Sequence, residues 1–480
     1  MNLIIAIIDT LSYDHVGANG NGWIETPNLD RLASESWCFD RCFASSFPTI
    51  PHRLDTVTGR YGGPFHAWMP LPYDWPTLPR ALAEEGYATQ LIHDTPHLVN
   101  GGHHFDWPFH GWTFVRGAEV DRPWVSAAVE WPPNWARDPL FDFADLDVNR
   151  IPMLRSYVAA NRHREGEEDW NAARLFRTAR EFLRENAPRD NFLLWVDCFD
   201  PHEPWDAPPD YVRKYDDAPG YDGRIDPRAF FVRNSDELTA PARDRIAALY
   251  AAKVSWMDHC FGTFLDGFYE MGLADDTALI LTADHGTRVG EWDLFGKGGP
   301  IPEQVAHVPL FVRPPGGEHG RSDALVQPQD ITVTLAALGG VEPPSEAQGQ
   351  DLLALARSGG PGRREVAVTG GSADGWNGEG PLGPAVFGRD RWLQLALDPA
   401  ASRLYAYGEQ KDRAAEEPGT ARELHSAAIA ELAARGADPK VVRWLRSEGA
   451  GDRPARARFF DGSPKPKGYT QYWHRLYREE

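Results

Sequence analysis

A few side chains in this sequence have the types and spacing that chemistry needs. Asp9 closes the apolar run IIAIID, and Asp284, His285 and Gly286 follow a second run, TALILTA. Two carboxylates and an imidazole on neighbouring strand ends could hold a divalent cation. Such a cation would stabilise a nearby hydroxyl as its alkoxide, a nucleophile. Thr49, in SSFPTIPHR, supplies a hydroxyl with Pro51 two residues on and Arg53 four residues on. Each fragment alone has an ordinary reading too, since an aspartate after a strand is often a turn or helix-cap residue.

The elements that must position these groups are legible in the pattern. Leu3 to Ile8 is a short, continuous apolar and β-branched run, which suits a strand covered on both faces in a parallel sheet. TPNLDRLASES then reads as a helix, with Pro at its start and Leu29, Leu32 and Ala33 on one side. Helix followed by strand recurs in TLPRALAEEGYATQLIHD, in WNAARLFRTAREFLRENAPRDNFLLWVDCFD, and from Ile246 to Met271 with the strand from Thr277 to Thr282. That alternation predicts an α/β fold with a doubly wound, mostly parallel sheet, in which ligands sit outside the carboxyl ends of the strands. GGHHFDWPFHGW and RPWVSAAVEWPPNW read as long loops roofing that end. Beyond about residue 345 the texture changes to Gly/Pro-rich segments, strand-like EVAVTGG and RWLQLAL, a helix from Thr420 to Arg435, and a polar tail. Residues 1–345 are therefore expected to form the catalytic domain and 346–480 a smaller α+β domain with antiparallel strands.

Composition excludes several classes. Hydrophobic residues make up 42% and charged residues 25%, an ordinary globular balance. The formal charge of −21 repels nucleic-acid phosphates and anionic membranes, so neither is expected as a partner, and an anionic substrate must meet a locally basic pocket. Four cysteines, Cys38, Cys42, Cys198 and Cys260, are too sparse for a disulfide framework. MNLIIAIIDT reads as a buried strand rather than a signal peptide or membrane span, so a cytoplasmic enzyme is expected.

In order and spacing, IIAIIDT, TPNLDRLA, TIPHRLDTVTGR, GYATQLI, DPHEPW, TADHGTRVGEWDLFGKG and HVPLFVRPPG resemble the sulfatase family of the alkaline phosphatase superfamily. RDRWLQLALDPAASRLYAYGEQ is similar to that family's smaller antiparallel domain. The resemblance implies a hydrolase of ester bonds that uses a divalent metal: Mn, Zn, Ca or Mg. It makes Asp9, Asp284 and His285 metal ligands and puts the nucleophile, also a ligand, at Thr49 in the family's C-x-P-x-R segment. Arg53 would orient the nucleophile and offset its charge. Lys297 of the GKG segment and His202 of the H-x-P segment would touch the substrate's oxygens or protonate the leaving group. Thr10, Asp94, Thr95 and His97 fall where the family's pattern surrounds the substrate. Homo-oligomers are common in the family and are left open for this chain.

The departures from the family pattern bear on the chemistry. The family's nucleophile is a cysteine or serine oxidised to formylglycine, a conversion that threonine cannot undergo, so no formylglycine is expected. A threonine ester cannot collapse by elimination and must be cleaved by an activated water. Threonine-nucleophile relatives use a second metal for this, for which Asp94, His97, Asp197, Asp200 and His202 are candidate ligands here. Asp9 is followed by Thr10 rather than a second aspartate, and His93 to His97 replaces a lysine-bearing segment. A site that loses a cation and gains a carboxylate should suit singly charged diesters better than dianions, a pattern similar to phosphonate monoester hydrolases and phosphodiesterases. The expectation is hydrolysis of phosphodiesters or phosphonate monoesters, small anionic esters, through Thr49. A sulfuric ester hydrolase, a phosphoryl-group transferase and a metal-binding protein without turnover are the alternatives.

Overall fold

The computed structural model describes the chain apart from residues 63–64, 101, 125–128, 131–151, 217–237, 299, 372–383, 397–400, 438 and 447–480. Most of the predicted loop RPWVSAAVEWPPNW and the polar tail lie outside the described residues.

The large sheet is built from β1 (Asn2–Ile8), β2 (Trp37–Cys42), β4 (Ala88–His93), β5 (Gly111–Phe114), β6 (Phe192–Cys198), β7 (Thr277–Ala283), β10 (Leu310–Arg313) and β11 (Gly320–Val326). Its order is β11-β2-β10-β7-β1-β6-β4-β5. Only β10 runs against its neighbours; the other pairings in this sheet are parallel. Every residue of β1, β6 and β7 is buried, as expected for strands covered on both faces. The predicted loop GGHHFDWPFHGW is one only in part, because its last residues enter β5 and pair with β4 at the sheet edge. A single exposed strand face leaves too short an apolar run to signal itself in sequence.

Helices cover the sheet as the alternation requires. Pro27–Ser34, Leu78–Glu84, Asn171–Asn186 and the long Ala240–Glu270 correspond to the four amphipathic or apolar stretches in the sequence. Among the described residues, no helix is long and apolar enough to cross a membrane. All four cysteines are buried free thiols.

A second sheet has the order β15-β14-β13-β12-β3, from β3 (Ser46–Phe47), β12 (Ala367–Gly371), β13 (Ala385–Phe387), β14 (Arg391–Gln394) and β15 (Arg403–Ala406). Its carboxy-terminal strands are antiparallel, and the helix Pro418–Ala434 packs on them. The strand β3 that completes this sheet precedes Thr49 and pairs in parallel with β12, Ser46 opposite Gly370 and Phe47 opposite Gly371. Two short strands, β8 (Arg288–Val289) and β9 (Phe295–Gly296), form a hairpin that leads to Lys297.

Candidate active site and metal centre

Four adjacent strands, β4, β6, β1 and β7, end on one side of the sheet. They deliver Asp94 and Thr95, Asp197, Asp9 and Thr10, and Asp284 and His285 to one region, all fully buried. Thr49 comes from a different source. It is the first residue of the helix Thr49–Thr58, whose ten residues are all buried. Ser46 fixes the approach to that helix: its backbone N–H donates to Asp55 Oδ2 at 2.7 Å and its hydroxyl to Asp55 Oδ1 at 2.9 Å. Arg53, one turn after Thr49, lies on the same face of the helix, and its Nη1 is 3.5 Å from the Thr49 carbonyl.

The Arg53 guanidinium gathers the carboxylates. It donates twice to Asp197, from Nε at 3.0 Å and Nη2 at 2.9 Å, in the bidentate geometry that suits arginine. Nη2 also donates to Asp9 Oδ2 at 3.1 Å, and Nη1 to Asp284 Oδ2. Thr10 holds Asp9 and Asp284 in place. Its N–H donates to Asp284 Oδ1 at 3.0 Å and its hydroxyl to Asp9 Oδ1 at 2.7 Å, from a left-handed backbone with φ of 64°. That conformation is uncommon for a β-branched residue and points to a functional constraint.

Asp9, Asp284 and His285 meet the requirements of a metal centre. One ligand atom from each lies within 4.8 Å of the others. His285 Nδ1 donates to the Gly286 carbonyl at 2.8 Å, which leaves the Nε2 lone pair facing the two carboxylates. Nε2 is buried without a hydrogen-bond partner, 3.6 Å from Asp284 Oδ2 and 3.9 Å from Asp9 Oδ1. Burial lowers the imidazole to about 4, so it is neutral and able to ligate. Burial and the neighbouring Asp284 charge raise Asp9, whereas Arg53 overrides burial and holds Asp284 well below the usual carboxylate range. With all three ionised, the carboxylates would outnumber Arg53 by two negative charges, and burial together with that excess makes Asp9 hold its proton more tightly. Leaving such charges unpaired costs several kcal/mol each; a divalent cation would remove the excess.

On the opposite rim, Lys297 Nζ donates to His202 Nε2 at 2.6 Å and lies 3.5 Å from Glu203 Oε2. Burial lowers His202 to about 3, so its resting form is neutral. The imidazole stacks on Phe199 with centroids 4.1 Å apart. His97 is near the same ring, 5.9 Å from Phe199 and 5.0 Å from Trp68, and burial, reinforced by His202, holds it well below its ordinary value.

The other predicted residues have separate partners. Thr95 donates its hydroxyl to Asp197 Oδ1 at 2.5 Å and so supports the Arg53 clamp. Asp94 Oδ1 accepts from the Phe199 N–H at 2.6 Å, fixing the loop that carries His202. Asp200 pairs with Lys253 at 3.0 Å. Both oxygens of Asp197 are engaged by Arg53, whereas Asp200 and Asp94 each keep one buried oxygen without a hydrogen-bond partner. Among the described residues, the one group whose ligand atoms converge is Asp9, Asp284 and His285. Sequence reasoning missed the role of Asp197 in fixing Arg53, although a carboxylate inside the apolar strand FLLWVDC was a usable signal. It also missed Asp55, which stands between ordinary helix residues with nothing local to mark it.

The family model described as Sulfatase matches residues 1–341. The arylsulfatase of Clostridium perfringens is 26% identical over 388 residues, covering 74% of this chain and 78% of that protein. The phosphonate monoester hydrolase of Agrobacterium radiobacter superposes with a TM-score of 0.67 at 21% identity, covering 90% of this chain and 95% of that one. A protein solved in complex with D-glucosamine-2-N,6-O-disulfate as its substrate also gives a TM-score of 0.67, at 18% identity, with 91% and 98% covered. The two solved structures share this chain's fold.

Proposed function

The chain belongs to the sulfatase family, and on that premise we propose that it hydrolyses phosphodiesters or phosphonate monoesters, with Thr49 as the nucleophile. The observation that carries this reading is the charge of the buried centre. Asp9, Asp197 and Asp284 bring three negative charges and Arg53 one positive. A divalent cation takes the sum to zero, and at the rim the charge of Lys297 is offset by Glu203, 3.5 Å away, so no surplus positive charge is left for a dianion. That balance matches a singly charged ester better than the dianion of a phosphate monoester. A sulfate monoester is singly charged as well; what disfavours it is Thr49, whose ester has no elimination route and must be resolved by water.

Asp9, Asp284, His285 and the Thr49 hydroxyl would hold a divalent cation, which would supply Lewis-acid stabilisation of the alkoxide. The remaining work belongs to side chains. Thr49 Oγ1 attacks phosphorus in line as the bond to the leaving oxygen breaks. Arg53, fixed by Asp197, offsets the charge on the non-bridging oxygens. The Lys297 and His202 pair gives a proton to the departing oxygen. Water then attacks phosphorus, its proton passes to His202 Nε2, and the bond to Thr49 Oγ1 breaks.

Purified protein assayed with Mn²⁺ or Zn²⁺ on an aryl phosphodiester, a phosphonate monoester, a phosphate monoester and a sulfate ester tests the reading. The first two should be cleaved fastest. Sulfate as the best substrate would overturn the preference and establish the second reading, a sulfuric ester hydrolase, which the likeness to an arylsulfatase favours.

A further inference from the structure

His202 is gripped from the side opposite the substrate. Its Nδ1 lies 2.8 Å from the Glu203 carbonyl oxygen, 3.1 Å from Glu203 Oε2 and 3.3 Å from Glu119 Oε2. The carbonyl accepts the Nδ1 proton, which leaves the Nε2 lone pair toward Lys297. Glu203 is the sequence neighbour of His202. Glu119 is distant in the chain, just after β5, and only the fold brings it there. Both carboxylates are buried, with Glu119 8% and Glu203 6% exposed, Lys297 lies 3.5 Å from Glu203, and a protonated imidazole between the two acids would add a further favourable charge.

We infer that Glu119 is a positioning residue for His202: the Glu203 carbonyl takes the Nδ1 proton, and Glu119 adds a second carboxylate 3.3 Å from that nitrogen, stabilising the imidazolium that forms whenever Nε2 carries the proton in transit. The step balances as follows. A proton on Nε2, drawn from Lys297, moves to the leaving oxygen; the N–H bond breaks and the alcohol O–H forms as the P–O bond breaks. In the second half-reaction the attacking water returns a proton to Nε2. No other co-reactant is needed. Without Glu119 the imidazolium would have only Glu203, which is shared with Lys297, to offset a buried cation beside that lysine, and more of the proton would stay on the lysine.

This inference rests on the proposed hydrolase reading, and it makes a demand that a merely structural glutamate would not. Proton delivery matters most when the leaving alcohol is a poor one and least for an activated phenol. The experiment measures kcat/KM across leaving groups from 4-nitrophenol to simple alkyl alcohols, in whichever ester class the wild type turns over, for the wild type, Glu119→Gln and Glu119→Asp. Glu119→Gln should lose about 10²-fold on alkyl esters and only a few-fold on 4-nitrophenyl esters, with Glu119→Asp recovering part of the difference. Melting temperature and metal content, measured in parallel, report on folding. An equal loss on every leaving group, no loss at all, or equal behaviour of the Gln and Asp variants would overturn the inference. The wild type's own ranking of ester classes tests the hydrolase reading separately, and a wild type that turns over none of them overturns both.

Discussion

Thr49 and Asp197 make different contributions within the same few ångströms. Replacing the proposed nucleophile with alanine leaves Arg53 and the proposed metal ligands in place but removes the hydroxyl that would attack. Thr49→Ala is expected to lower kcat by about 10³-fold or more, while Thr49→Ser keeps activity, as steady-state assays would record. Asp197 instead sets charge. Asp197→Asn removes one of three negative charges, so it should slow diester cleavage while raising the kcat/KM ratio of phosphate monoester to diester by about tenfold, the direction a dianion prefers. No change in that ratio would refute the charge argument. The excess of buried carboxylate over Arg53 also links the metal to folding. Because a cation bound only by the native state stabilises by about 2.7 kcal/mol at 100 times its Kd, chelation should lower the calorimetric melting temperature and Mn²⁺ or Zn²⁺ should restore it.

At the scale of elements, two turns carry the geometry. Gly286, immediately after His285, packs so closely that a Cβ would lie 2.2 Å from the Gln304 carbonyl oxygen and 2.4 Å from Ser12 Oγ. Gly286→Ala should therefore push the Asp284–His285 turn out of place, costing about 1–3 kcal/mol of stability and weakening metal binding in a competition assay. An alanine variant with native melting and metal affinity would show that the turn has slack. Legibility from sequence follows the same physics. β1, β6 and β7 were readable because central parallel strands need long apolar runs, and β4 because a glycine stop separates it from the helix before it; the candidate ligands at the strand ends came with them. The helix Thr49–Thr58 was opaque to periodicity because every face is buried, so it has no polar side to set a period. Its importance came through the resemblance. The glutamates on His202 were illegible because Glu119 reaches it only through tertiary placement, and the candidate ligands of a second metal could not be sorted because side-chain type does not reveal which partner a carboxylate takes.

Over the whole molecule, a formal charge of −21 surrounds a centre where Lys297 and Arg53 are the nearest cations. An anionic ester approaches against that field. Salt should therefore raise kcat/KM, most steeply as the Debye length shrinks from about 30 Å at 0.01 M to about 10 Å at 0.1 M, while a neutral ester analogue shows no such dependence. A fall with salt would mean that local cations dominate long-range approach. The carboxy-terminal part reaches the same centre mechanically. Arg364 pairs bidentately with Asp330 at 2.6 and 2.8 Å and donates to the Tyr61 hydroxyl at 2.9 Å, and the Arg435 guanidinium lies 3.8 Å over the Tyr61 ring. These contacts anchor the segment that leaves the nucleophile helix.

The pairing of β3 with β12 limits how such a protein can be recombined. The two residues ahead of Pro48 and Thr49 are registered against Gly370 and Gly371, so a graft that replaced the last third of the chain with a relative's would also replace the template that aims the attacking hydroxyl. Hybrids in this lineage should work only when both partners of that seam are inherited together, whatever the origin of the metal ligands.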